Sequence, residues 1–254
     1  MKVIIINLDD SRDRLDLITS KLAIFAMDCE TVQAIDGRGK PSNFFSKYIK
    51  IRSILRHGRE MVGGEVACYL SHLKALEAFL GSGDDIAVIL EDDADIQPDF
   101  MDTCGAIIAA LEQSNIPFYA VNLGSDVKTT SSPIVKLASF EVRRAFHFPA
   151  MATGIIWSRE GAMALLNSKY GKSVSGPWDI ELRSFFARNG RGIGLDRTYL
   201  FPIVALSDID FGSSLRWQKS HWAGALKLFT KIFRRLPDRI WSNYFLIKQG
   251  FLKK

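Results

Sequence analysis

Gly81-Ser82-Gly83-Asp84-Asp85-Ile86-Ala87-Val88-Ile89-Leu90-Glu91-Asp92-Asp93-Ala94-Asp95 is the stretch on which the fold turns. The apolar run 87–90 lies between a Gly/Ser/Asp turn and three consecutive acids, so it reads as a short buried strand. Carboxylates gathered at the end of such a strand repel one another and lose solvation; a cation or hydrogen-bond donors must offset this. In open α/β sheets, ligands bind beyond the carboxyl ends of the strands. Glu91, Asp92 and Asp93 are therefore a candidate divalent-metal site for a phosphate-bearing substrate. The competing reading is a solvated acidic turn, since surface ion-pair networks collect carboxylates too.

Working outward, residues 2–8 are β-branched and apolar and predict a first strand. The spacing of Leu15, Ile18 and Leu22 predicts an amphipathic helix over 12–26, and residues 31–35 predict a second strand. Strand, helix, strand is the opening of a doubly wound α/β fold. Residues 38–62 read as an insertion beside the site, helical in part over 44–59. Gly63-Gly64 opens a mostly buried helix that runs to Gly81. Further on, helices are expected over 98–113, 159–170 and 178–189. Strands are expected over 118–124, within 142–156, at 153–158 and, carrying a proline, over 199–206. Residues 125–139, rich in Ser, Thr and Lys, read as a loop or flap.

The 254 residues suffice for one large α/β domain. Three scattered cysteines, without Cys/His zinc spacing in the sequence, argue against a disulfide framework and suit a reducing cytosol. The N-terminal apolar run is too short for a signal peptide, and no run is long enough to span a membrane. The net charge of +5 is uneven. Residues 216–254 carry ten Lys/Arg against Asp238 alone, or +9, which leaves residues 1–215 at −4. The expected organisation is a catalytic domain over 1–215 and a basic amphipathic helical extension over 216–254. In the extension, Trp222, Leu226, Phe229, Phe233 and Leu236 share a helical face beside Lys227, Lys231, Arg234 and Arg235, before Pro237. Two readings stand: an interfacial helix on anionic lipid, or a terminal helix docked on the body. No nucleic-acid motif accompanies the charge, so nucleic acid is not an expected partner.

Several fragments form one ordered pattern: Ile6-Asn7-Leu8-Asp9 with Arg12 and Arg14; Ala34-Ile35-Asp36-Gly37; Gly64-Glu65-Val66-Ala67-Cys68-Tyr69-Leu70-Ser71-His72; Leu90-Glu91-Asp92-Asp93 with Pro98-Asp99-Phe100; Thr153-Gly154 with Ser158-Arg159; and Pro177-Trp178-Asp179. Over residues 2–215 the chain resembles glycosyltransferase family 25, which includes bacterial lipooligosaccharide galactosyltransferases and collagen galactosyltransferases. The resemblance implies a GT-A-like, Rossmann-like nucleotide-sugar fold and inverting transfer of a sugar, usually from UDP-galactose. It also implies Mn²⁺ or Mg²⁺ and a saccharide or glycolipid acceptor. The expected location is the cytoplasm, at the inner-membrane face. Departures are Ala67, where Gly is common, Trp178, where a smaller apolar residue is common, and a loose match over 204–214.

On that resemblance, Asp93 and then Glu91 would ligate the cation, with Asp92 toward ribose or acceptor. Asp95 reads as a surface acid. Asp179 is either the general base that deprotonates the acceptor hydroxyl or an ordinary acid in a first helical turn; Asp126 and Asp208 are weaker candidates. Asn7, Arg12 and Arg14 would meet phosphate or base at a strand-to-helix junction, though both arginines also fit a solvated helix face. Asp36 would hold ribose or form an Asx turn. Ser71 and His72 are expected in the site, His72 as a donor to the diphosphate, with Glu65 orienting it and Cys68 as packing. Two rivals remain: a non-catalytic carbohydrate- or nucleotide-binding relative, and a metal-dependent phosphoryl-transfer or hydrolytic enzyme. The second lacks a Walker-A, H-E-x-x-H or G-x-S-x-G signature.

Overall fold

The computed structural model describes residues 1–26, 29–127, 130–203 and 236–248. In chain order the elements are β1 (Lys2–Asn7), α1 (Arg12–Ala23), β2 (Cys29–Gln33), α2 (Lys50–His57), α3 (Gly63–Ser82), β3 (Ile86–Glu91), α4 (Phe100–Gln113), β4 (Ala120–Asp126), β5 (Ser131–Lys136), β6 (Glu141–Ala145), β7 (Gly154–Ser158), α5 (Arg159–Asn167), α6 (Lys169–Lys172), α7 (Trp178–Asn189) and β8 (Gly192–Leu195). Residues 236–248 form a further helical segment.

The eight strands form one sheet in the order β2-β1-β3-β7-β4-β8-β6-β5. β1 runs parallel to both β2 and β3, so the carboxyl ends of all three open on one side. β7 enters antiparallel between β3 and β4, which makes this a mixed α/β sheet. Side chains alternate across the two faces. Ile4, Ile6 and Ile89 join one core with α3, α5 and α7, while Val3, Ile5, Val88 and Leu90 join another with α1 and α4. A strand buried on both faces shows a continuous apolar run, which is why 3–6 and 87–90 carry no polar alternation.

Several expectations are corrected. Residues 131–136 are not a flap but strand β5, which pairs with β6 at the sheet edge. The helix expected over 159–170 breaks at Ser168, whose hydroxyl accepts from the Tyr170 N–H and caps α6. The strand expected over 199–206 is reduced, within the described residues, to one bridge between Ala94 and Pro202. The late strand of the sheet is β8, which lies between β4 and β6 and, at four residues, is too short to show periodicity. Residues 204–206, Asp208 and the amphipathic stretch 222–233 lie outside the described residues.

Candidate active site

The cleft lies at the carboxyl ends of β1, β2 and β3 and is lined in part by Arg14, Asp36, Arg38, Cys68, His72 and the three acids Glu91, Asp92 and Asp93. Parallel pairing sets Ile6 beside Glu91, so the chain leaves β1 and β3 at the same level. One wall is the loop after β2. There Gly37 is obligatory: a Cβ would lie 2.3 Å from the Gly63 carbonyl oxygen and 2.6 Å from the Ala67 Cβ. That approach presses the Asp36–Arg38 turn onto the start of α3, the second wall.

The three acids have separate fates. Glu91 Oε1 lies 3.1 Å from His72 Nε2. Asp92 lies 3.5 Å from Arg14 Nε. Asp93 has a buried oxygen, Oδ1, with no hydrogen-bond partner. Burial first, then repulsion from Glu91 and Asp92, pushes its carboxyl up to about 6, against the pull of Arg14. Backbone contacts fix the loop that carries it: the Ile203 N–H donates to the Asp93 carbonyl and the Asp95 N–H to the Phe201 carbonyl. Asp95 points away and pairs with Lys21 at 2.5 Å.

Asp36 forms an Asx turn, accepting the Arg38 N–H at 2.9 Å, and its carboxylate also holds the Arg38 guanidinium. Arg38 reaches Asp10 as well, at 2.6 Å. These bonds hold the Asp36 carboxyl down to about 2. Arg38 was not singled out in the sequence; its place two residues after an acid that begins a turn was the available signal.

His72 is positioned by α7. The Trp178 indole stacks on its ring at 4.8 Å and 10° and meets Tyr69 edge-on at 4.9 Å. The larger residue at 178, noted as a departure, thus supplies a face for the imidazole. The Glu65 carboxylate takes both terminal nitrogens of the Arg59 guanidinium at 2.8 Å and accepts the Val62 N–H at the start of α3. Ser71 lines the cleft, but its hydroxyl donates to the Ala67 carbonyl and accepts the Ile35 N–H, which ties α3 to the chain after β2. Asn7 and Arg12 line a separate hollow with Asp9, Asp16, Thr31 and Gln33, whereas Arg14 faces the acids. Asp179 stands in the first turn of α7, near Glu65 and Cys68 but outside the cleft lining. Burial raises its carboxyl, opposed by the Ile180 N–H and Arg183. Asp126 borders another hollow, with Asp196 and Arg197.

A cleft at the carboxyl ends of a parallel strand trio is the place where open α/β sheets bind their ligands. The model of glycosyltransferase family 25, described as an LPS biosynthesis protein family, matches residues 1–170. The chain belongs to this family. The match includes every acid of the cleft and ends before Trp178 and Asp179. Procollagen galactosyltransferase 1-B of Xenopus laevis is 24% identical over 172 residues, covering 66% of this chain and 28% of that protein. The chain thus corresponds to little more than a quarter of that relative. The solved structure of S. aureus TarS 1–349 aligns with 91% of this chain and 72% of that one, at 14% identity and a TM-score of 0.37, too loose to carry an argument.

Proposed function

We propose that the chain is a metal-dependent, inverting hexosyltransferase of GT-A-like fold that moves galactose from UDP-galactose to a saccharide on a lipid carrier. One observation carries the reading: Asp93, a largely buried carboxylate at the end of β3, has an oxygen with no partner and two acids beside it. Hard cations favour carboxylate oxygens, so the residues fit Mn²⁺ or Mg²⁺. Asp93 would hold the ion, with Glu91 joining if it leaves His72. When bound, the cation neutralises charge on the departing nucleoside diphosphate.

The remaining roles follow from this chain's own groups. Arg14 and Arg38 present guanidinium groups to the cleft for the donor's phosphates. Asp179 accepts the proton of the acceptor hydroxyl; burial raises its carboxyl, the direction that makes it a stronger base. Galactose is favoured by the name of the procollagen relative, and a lipid-linked acceptor by the family's description.

The test is thermal stability with UDP-galactose and other nucleotide sugars, with and without Mn²⁺. Stabilisation that needs both ligands and vanishes in Asp93→Asn is expected. Absence of stabilisation by any nucleotide sugar would overturn the reading. Binding without glycosylation of any acceptor in a panel would favour the non-catalytic relative.

The C-terminal segment supports contact with an anionic membrane. In residues 236–248, Asp238 and Ser242 face the body, bonding Ser184 and Arg188 and the Phe146 carbonyl. Ile240, Trp241, Tyr244 and Ile247 remain exposed on the other side. Docking on the body and binding lipid are therefore compatible. Among the described residues no helix is long and apolar enough to cross a membrane. Co-sedimentation with anionic vesicles should fall in Trp241→Ser/Ile247→Ser; an unchanged bound fraction would remove the proposal.

A further inference from the structure

Cys68 and His72 are four residues apart on α3 and so project from one helical face. Both line the cleft, and Glu91 at the end of β3 meets them there. The Cys68 sulfur, a His72 ring nitrogen and a Glu91 carboxylate oxygen all lie within 4.8 Å of one another. Nothing in the proposed transfer chemistry uses the thiol. Cys29 and Cys104 are not part of this group, and Cys104 is buried in the core around α4.

We infer that Cys68, His72 and Glu91 form a binding site for a borderline-soft divalent cation of the Zn²⁺ or Co²⁺ class, which adds a sulfur and an imidazole donor and shares only Glu91 with the hard-cation site built on Asp93. One sulfur, one imidazole nitrogen and one carboxylate oxygen are a donor set for such ions, whereas Mg²⁺ and Ca²⁺ take oxygen. Tetrahedral bonds of the usual lengths place ligand atoms about 3.3–3.8 Å apart. The His72–Glu91 separation of 3.1 Å is already close to this range. The sulfur lies within 4.8 Å of both other donor atoms, so a side-chain rotation suffices to bring it to bonding distance.

The supports of the site are rigid. Two donors stand on a helix of twenty residues. The imidazole lies against Trp178, and the Glu91 N–H donates to the Thr153 carbonyl at 3.0 Å, which anchors the third donor's backbone. Three protein ligands leave a fourth position for water or a ligand oxygen, and the cleft opens toward it. On binding, the thiol proton leaves to solvent and a thiolate–metal bond replaces the S–H bond. Because Glu91 belongs to both donor sets, filling this site withdraws a carboxylate from the hard-cation site.

Co²⁺ is the probe, since its thiolate charge-transfer absorption reports sulfur ligation without any donor or acceptor sugar. Titration of the full chain should give this band at one equivalent. The band should disappear in Cys68→Ser, persist in Cys29→Ser and Asp93→Asn, and be displaced by Zn²⁺. Absence of the band at saturating Co²⁺, or its persistence in Cys68→Ser, would overturn the site. Should Cys68→Ser fail to fold, alkylation of the wild-type protein decides instead. Zn²⁺ should slow modification of Cys68 at least about tenfold relative to Cys29; equal rates would refute the inference. The readout is independent of the transfer reading: a protein that binds no nucleotide sugar would still show the band.

Discussion

Asp36, after β2, and Asp93, after β3, line the same cleft in opposite electrostatic states. Asp36 sits on the surface, grips the Arg38 guanidinium and its own turn, and is held down to about 2. Asp93 is largely buried, lacks a partner for one oxygen and is pushed up to about 6. The first carboxylate has its cation within the chain; the second keeps an oxygen with no hydrogen-bond partner. A cluster of acids in a sequence therefore does not state which member holds a ligand. The neighbours supplied by the fold decide it.

The sharpest way to break this contrast is to neutralise each acid in turn. Asp93→Asn should lower kcat/KM about 10³-fold, the order expected when a charge-stabilising group is lost; Asp36→Asn should change it only severalfold. Equal losses, in steady-state assays with saturating Mn²⁺, would show that the two loops are not functionally distinct. Next in size is Asp179→Asn. It keeps an acceptor for the Ile180 N–H but loses the base, so kcat should fall about 10²-fold with the melting temperature little changed. A purely structural Asp179 would give the reverse.

The pH dependence of metal-free stability comes third. Asp93 binds its proton more tightly folded than unfolded, so its contribution declines as pH rises from about 4 through about 6 and the loss is complete above that. Asp93→Asn should remove this decline and stabilise the metal-free protein near pH 8 by about 1–3 kcal/mol. Mn²⁺ should do the same for the wild type. Thermal melts across that range, with and without chelator, would check both. Asp36 behaves oppositely: its contribution is present above the ordinary carboxylate range and fades as pH falls toward about 2. Its ion pair is solvent-exposed, so Arg38→Ala should shift stability by less than about 1 kcal/mol, the smallest effect here.

Much of the framework was legible because local patterns carry it. The apolar runs at 3–6 and 87–90 read as strands, and α7 was read over the range observed, 178–189. Gly63 marked the start of α3. The missed elements are those whose stability is not local. β5, with its Ser and Pro, is a strand because β6 pairs with it. β8, the tetrapeptide Gly-Ile-Gly-Leu, is a strand because β4 and β6 flank it. Helical phase placed Glu65 on the face of His72 but gave no sign of Arg59, which holds its carboxylate through both terminal nitrogens.

The sequence by itself determined the α/β class, the acids at the end of β3 and the family, since strand burial, helix periodicity and motif spacing are properties of short segments and their order. Only the tertiary structure decided how Glu91, Asp92 and Asp93 divide: one to an imidazole, one to a guanidinium and one left with a buried oxygen that has no hydrogen-bond partner. It also brought Cys68 within reach of Glu91, a residue on a different element. The physical reason is that a carboxylate's behaviour depends on the charge and solvent within a few ångströms, and those neighbours come from α1, α3 and α7, which sequence order does not bring together.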